Sequence, residues 1–127
     1  LLVRFCETDL MGIVHHANYL IYCEAARVDW LHKRGVSYES WVEHGVHLPV
    51  VRAKLDFKRA AQFDDRLRIE TVMVQLSRAS VRFVYRITRG DDAICEAETV
   101  LACVNDERRL RRLPADVAEV FQRPESA

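Results

Sequence analysis

The stretch Glu7-Thr8-Asp9-Leu10-Met11-Gly12-Ile13-Val14-His15-His16-Ala17-Asn18-Tyr19 sets acids, a glycine and two histidines just ahead of a run with helical periodicity. A helix start presents unpaired N–H groups and the positive end of the helix dipole. Such amides can hold a carbonyl oxygen and stabilise the oxyanion that forms when the carbonyl is attacked. A carboxylate alongside, here Asp9, can attack the carbonyl directly or activate a water. Acyl transfer is the chemistry this set would suit, with Gly12 and the amides through His16 as the candidate carbonyl-oxygen site. Taken alone the signal is weak, because an Asp before a helix is more often a cap or turn residue. Gly12 equally serves to permit a tight turn.

The elements that must position this stretch follow from periodicity. Leu1 to Phe5 reads as a short strand and Glu7 to Gly12 as a polar loop. A long helix is predicted from about His16 to Arg34, with Tyr19, Cys23, Ala26 and Trp30 on one apolar stripe and Leu20 and Leu31 beside them. His32, Lys33 and Arg34 suit its negative end, and Gly35 its C′ position. Ser37 to His44 reads as a short helical turn capped by Ser37. After Pro49 the period changes to two: Val51, Ala53, Leu55 and Phe57 face one way, Arg52, Lys54, Asp56 and Lys58 the other. Gln62 to Asp65 is a turn. Arg66 to Leu76 is a strand whose apolar phase slips, which predicts a bulge near Thr71. Val81, Phe83, Tyr85 and Ile87 alternate, and Gly90-Asp91-Asp92 turns the chain into a strand over 93–104. Pro114 starts a closing helix with Val117, Val120 and Phe121 on its apolar side. Hairpin connections imply an antiparallel sheet, so the fold class is α+β: five strands against one long helix. One helix covers only one face, which leaves a face or an edge for a partner subunit.

The totals exclude several function classes. At 127 residues the chain fits one domain, 1–127, and 19 basic residues balance 19 acidic ones, so overall charge points to neither nucleic acid nor a membrane surface. No apolar run approaches the ~20 residues of a membrane span, and the start lacks the zones of a signal peptide. The absence of an initiator Met implies that the sequence begins inside the natural protein. Cys6, Cys23, Cys95 and Cys103 form no C-x-x-C pair and read as reduced thiols of a cytoplasmic protein. His15 and His16 make a poor metal pair because no further ligand has helpful spacing, so no metal or cofactor is expected.

Arg4 through Arg27, RFCETDLMGIVHHANYLIYCEAAR, resembles the signature of the hot-dog-fold thioesterases, closest to the 4-hydroxybenzoyl-CoA thioesterase-like group that includes the Tol–Pal-associated acyl-CoA thioesterases. Phe57 through Leu67 resembles that family's strand–turn–strand segment with its paired-Asp turn, and Arg78-Ala79-Ser80 its next turn into a strand. The resemblance implies a hot-dog fold, a curved five-stranded antiparallel sheet wrapped around the long helix. It also implies an acyl-CoA thioesterase acting as a homodimer or dimer-of-dimers homotetramer, with sites at the subunit interface. The family's catalytic Asp falls on Asp9, as nucleophile or general base. His16 takes the motif His position, where it could orient the thioester, assist the departing thiolate or merely cap. His15 stands where the family usually has an aromatic residue, which reads as pocket lining or surface and puts substrate choice in doubt.

Asn18 divides between satisfying backbone groups at the helix start and touching substrate, and Tyr19 between core or interface and the pocket. CoA carries several phosphate charges, for which Lys58, Arg59 and Arg78, with Ser80 beside the last turn, are the candidate contacts. Solvated surface charge is the alternative for each, and the run Arg108, Arg109, Arg111, Arg112 stands in the same balance. Glu24 and Arg27, three apart on the helix, read as a structural pair, and a Cys6 nucleophile has no support from spacing. Two other functions remain open: a non-catalytic acyl-CoA or acyl-carrier binding module, and a hot-dog hydratase or dehydratase using His16 with Glu24.

Overall fold

A computed structural model describes residues 1–125. The chain forms α1 (Asn18–His32), α2 (Tyr38–Val42), β1 (Val50–Phe57), β2 (Arg68–Leu76), β3 (Ser80–Arg89), β4 (Asp92–Ala102) and α3 (Ala115–Gln122). The strands build one antiparallel sheet in the order β1-β4-β3-β2. The sheet therefore has four strands rather than the expected five. Leu1 to Val3 do run beside the start of β2, with the Leu67 amide donating to Leu1 O at 2.8 Å and the Val3 amide to Asp65 O at 3.0 Å. That pairing stops after a single bridge, Leu2 to Arg66, because Phe5–Glu7 winds into a 3-10 turn.

α1 is shorter at both ends than its periodicity predicts. His16 and Ala17 form a turn ahead of it, and Gly35 (φ +79°) ends it with its amide on His32 O. The buried stripe comprises Tyr19, Tyr22, Cys23, Arg27, Trp30 and Leu31, whereas Leu20 faces outward. Arg27 replaces an apolar residue there: its Nη1 donates to the Tyr85 hydroxyl at 3.1 Å, and that oxygen lies 2.7 Å from Thr99 Oγ1. Ser37 precedes α2 but its side chain does not cap it.

The other face of the core is set by strand alternation. Val81, Phe83, Tyr85 and Ile87 of β3, with Ala97, Thr99 and Leu101 of β4, turn inward against α1. Trp30 meets the Phe83 ring edge-on and stacks on Phe121 of α3, so α3 closes the far end of the core. The bulge in β2 falls between Met73 and Gln75, slightly beyond Thr71. The outer face of the sheet carries no helix. β1 forms one edge, and seven of its eight residues are exposed.

Candidate active site

The loop that carries Asp9 is held at both ends. Thr8 and Val14 form a bridge, with the Asp9 amide donating to Ile13 O at 2.9 Å. Gly12 turns the chain at φ +78°, a conformation that costs a residue with a Cβ about 1–2 kcal/mol. The second clamp is long-range: Val14 N donates to Ala61 O at 2.8 Å, and Ile13 bridges Gln62. That 60–65 loop is itself fixed by Asp65, which accepts the Gln62 amide at 2.8 Å and Arg89 Nη1 at 2.7 Å. Arg89 thus braces the site from β3, a role its place in the sequence does not announce.

Glu7 is the second residue the motif reading passes over. The residue is 6% exposed, and its carboxylate accepts the Arg4 amide at 2.8 Å, the Tyr22 hydroxyl at 3.1 Å and Arg4 Nη2 at 3.3 Å. Burial alone pushes this carboxyl up. The Arg4 amide, the Tyr22 hydroxyl and the Arg4 guanidinium outweigh it and hold the group below its ordinary value. The Glu7 carbonyl also accepts the His15 amide and Asn18 Nδ2, both at 2.9 Å. Asn18 therefore ties the loop to the first turn of α1.

Asp9, Met11, Ile13, Val14, His16, Tyr19, Phe57, Lys58, Arg59 and Ala60 line a cleft of about 360 Å³. Asp9 Oδ1 accepts the Met11 amide at 2.8 Å in a local turn, while Oδ2 has no partner among the described residues. The amides of this stretch are mostly committed: Gly12 N to Asp9 O, Val14 N to Ala61 O, His15 N to Glu7 O, and Ala17 N to His15 Nδ1 at 3.2 Å. The Gly12 amide is thus spent on the turn. The His16 N–H stands uncommitted among the described residues, one turn before α1 and in the cleft with Asp9. His15 accepts the Ala17 amide hydrogen bond through Nδ1 and stacks on His16 with ring centroids 4.3 Å apart. Tyr19 is buried with its ring 5.5 Å from that of Phe57, and burial raises its phenol above the ordinary range.

The sequence candidates fall into two groups. Asp9, His16, Tyr19, Lys58 and Arg59 meet in the cleft, although Arg59 Nη1 pairs with Asp92 at 2.8 Å. Arg78 and Ser80 do not join them. The Lys58 amide bonds Ile94 O, whereas Ser80 pairs with Ala102, eight residues further along β4 or about 26 Å at strand rise. Arg78 instead lines a cavity of about 590 Å³ with Arg111, Arg112 and Leu113. Ser80 lies on the outer face beside Arg52 and Arg82. A groove of about 380 Å³ between α1 and β2 holds no comparable set, its Asp29 being tied to Lys33 at 3.3 Å. Among the described residues no metal-ligand cluster occurs, and no helix is long and apolar enough to cross a membrane.

Known proteins resemble the chain over most of its length. Over 111 residues the chain is 31% identical to a 1,4-dihydroxy-2-naphthoyl-CoA hydrolase of Synechococcus elongatus, covering 86% of this chain and 82% of that one. It is 28% identical over 122 residues to the acyl-CoA thioester hydrolase YbgC of Escherichia coli O6:H1, covering 94% and 91%. Among solved structures, the 1,4-dihydroxy-2-naphthoyl-CoA (DHNA-CoA) thioesterase of Staphylococcus aureus superposes with a TM-score of 0.91 at 27% identity, over 96% of this chain and 85% of that one. The thioesterase-like superfamily as a whole matches residues 3–122, from the strand-like start through the end of α3. A match of that extent, taking in the clamped Asp9 loop, the helix behind it and the complete sheet, makes this chain a member of the thioesterase-like superfamily, with the hot-dog fold its relatives display.

Proposed function

We propose that this chain hydrolyses acyl-CoA thioesters, with Asp9 supplying the reactive carboxylate and the His16 amide receiving the carbonyl oxygen. One observation carries the reading: a carboxylate oxygen and a backbone N–H, both uncommitted, share an apolar-walled cleft on a loop clamped from three sides. The thioester carbonyl lies between them. Asp9 Oδ2 either attacks the carbonyl carbon or takes a proton from the attacking water. The negative charge gathers on the carbonyl oxygen against the His16 N–H, and the C–S bond breaks to release CoA and the free acid. The His16 ring, steadied by His15, stands near the leaving sulfur. Names among the relatives support the class: one is a 1,4-dihydroxy-2-naphthoyl-CoA hydrolase and another an acyl-CoA thioester hydrolase.

The working unit in this reading is a homodimer joined edge to edge through β1, each copy one domain over residues 1–127. β1 is an open edge whose apolar residues are uncovered, Val51 60% and Phe57 52% exposed. Antiparallel pairing with a second copy satisfies that edge and shields the cleft wall at Phe57. It also sets opposite sheet ends together, so the cavity with Arg78, Arg111 and Arg112 from one copy comes alongside the Asp9 end of the other. That arrangement accounts for a phosphate-binding set at the opposite end of the sheet from the Asp9 cleft within one chain. Four free thiols support work in the reducing cytoplasm.

The test is thiol release from short-chain, long-chain and benzoyl-type CoA esters by the purified protein. Turnover on any of them supports hydrolysis. Saturable binding with no release from every ester would make the protein a binding module instead. Ala53→Pro, in the middle of β1, should yield a monomer with at least tenfold lower turnover.

A further inference from the structure

Two neighbouring cations line the cleft, and the fold commits one of them. Arg59 Nη1 pairs with Asp92 Oδ1 at 2.8 Å, while Lys58 forms no ion pair among the described residues. Strand alternation would send Lys58 to the outer face of the sheet, where Lys54 and Asp56 line a shallow depression. It lines the Asp9 cleft instead. The reason is local. β1 ends at Phe57, and the Lys58 and Arg59 amides both donate to Ile94 O, at 2.8 and 3.2 Å. That shared acceptor ends the ladder and carries residues 57–60 along the cleft wall.

This placement sets what Lys58 can reach. At about 360 Å³ the cleft is near the small end of ligand pockets, and roughly 9 Å across if taken as a sphere. The pyrophosphate of CoA hangs more than ten bonds from its sulfur, roughly 15 Å when extended. With the thioester between Asp9 and the His16 amide, those phosphates lie beyond the cleft, and Lys58 meets the ester and its acyl group. Ile13, Tyr19 and Phe57 offer that group apolar walls, with the Tyr19 and Phe57 rings 5.5 Å apart.

A bound ester displaces water from the cleft, so the charges there need partners from the ester itself. A neutral acyl end leaves the Lys58 ammonium among apolar groups without a counter-ion, which is unfavourable. A carboxylate supplies one. The same carboxylate is repelled by Asp9 unless a cation offsets the two acids, and with Arg59 committed to Asp92 that cation is Lys58.

We infer that Lys58 receives a carboxylate at the far end of the acyl group, so that the esters this cleft favours are CoA monothioesters of short dicarboxylic acids. A span of roughly 9 Å fits a carbonyl and a carboxylate about five bonds apart, at about 1.2 Å per bond. Lys58 is exposed, so the pairing belongs at the lower end of charge-assisted hydrogen bonds, about tenfold in affinity. The inference rests on the thioester chemistry proposed above, but its charge argument concerns binding alone.

Paired esters test it: adipoyl- against hexanoyl-CoA, and 4-carboxybenzoyl- against benzoyl-CoA, each pair differing in the terminal carboxylate. Two ratios are read within each pair, kcat/KM with Asp9 in place and Kd in Asp9→Asn, in both cases with Lys58 intact or changed. The carboxylate-bearing ester should be favoured about tenfold in both ratios, with the preference lost in Lys58→Met and reversed in Lys58→Glu. Lys58→Arg keeps the charge and should keep part of the preference. All three variants should unfold at the wild-type urea midpoint, because Lys58 is exposed. Equal affinity within each pair, no binding of the carboxylate-bearing esters, or a preference that survives Lys58→Met overturns the inference. A lysine that serves the CoA phosphates or the Asp9 charge would act on both members alike and leave the ratios unchanged, which also overturns it. Absence of turnover on every ester would refute thioester hydrolysis, while the Kd ratio still decides the Lys58 pairing.

Discussion

Tyr22→Phe tests the idea that a buried carboxylate positions the Asp9 loop. The Tyr22 hydroxyl donates to Glu7 Oε1 at 3.1 Å in a buried setting, and a hydrogen bond to a charged group contributes about 1.5–3 kcal/mol. The Arg4 pairing adds less, because the Arg4 side chain is 72% exposed. We expect Tyr22→Phe to cost about 2 kcal/mol and Glu7→Gln about 3 kcal/mol, since glutamine keeps one acceptor but loses the charge. The double variant should cost less than the sum, with a coupling of about 1–2 kcal/mol, as found for groups in direct contact. Urea unfolding of the four proteins at one fixed concentration measures this.

The pH dependence has a defined sign. Glu7 is held below its ordinary 4.5, so its contribution is full above that value and fades as pH falls through the folded-state value. The gap between wild type and Glu7→Gln should therefore be constant near neutrality and shrink below about pH 4. A coupling within the ~0.3 kcal/mol of ordinary additivity at pH 7 would refute the buried pair. So would a gap that persists unchanged in acid.

Gly12→Ala should cost about 1 kcal/mol of stability and roughly tenfold in turnover, because a Cβ there meets nothing within 4 Å and the cost is backbone strain alone. Gly12→Asn should recover part of both, and equal stability of all three proteins would remove the strain argument. A thiol reagent at pH 8 should label Cys6 alone in the folded protein and all four cysteines after unfolding. Burial pushes Cys23 up to about 12 and Cys95 to about 11, and both are shielded. Labelling of Cys23 at the rate of Cys6 would contradict the core packing. Arg89→Ala should loosen the 60–65 loop by removing the 2.7 Å bond to Asp65, lowering turnover several-fold with about 1 kcal/mol lost in stability. A fall in stability with unchanged turnover would separate that loop from the site.

The sequence reading succeeded where side-chain periodicity speaks directly. The alternation of Val81, Phe83, Tyr85 and Ile87 fixed the inner face of β3, and Pro114 with Val117, Val120 and Phe121 located α3. The hairpin at Gly90 fell where expected, with Arg89 opposite Asp92. Periodicity misjudged α1 because Arg27 is buried on neutral partners and Leu20 is not, a choice made by Tyr85 and Thr99 on distant strands. The first strand shrank to a bridge because Glu7 gathers Arg4 and Tyr22 into a turn, a contact spanning fifteen residues. The motif pointed to Asp9 and His16 together. It could not reveal that the Gly12 amide is spent on the turn, that Asn18 holds Glu7, or that Arg89 braces the loop, since those depend on which backbone atoms meet in space. The separation of Arg78 and Ser80 from Asp9 was likewise hidden, as it follows from strand register rather than from spacing.

Single-turnover release of CoA by Asp9→Asn, compared with wild type on the best ester found, tests the catalytic proposal most directly. Asparagine keeps an oxygen for the Met11 amide, so the loop should hold its shape while the reactive charge is lost. The account predicts at least a hundredfold slower release, the scale of a positioned acid–base group, from a protein that unfolds at the wild-type urea midpoint. Release at the wild-type rate would show that another group performs the attack.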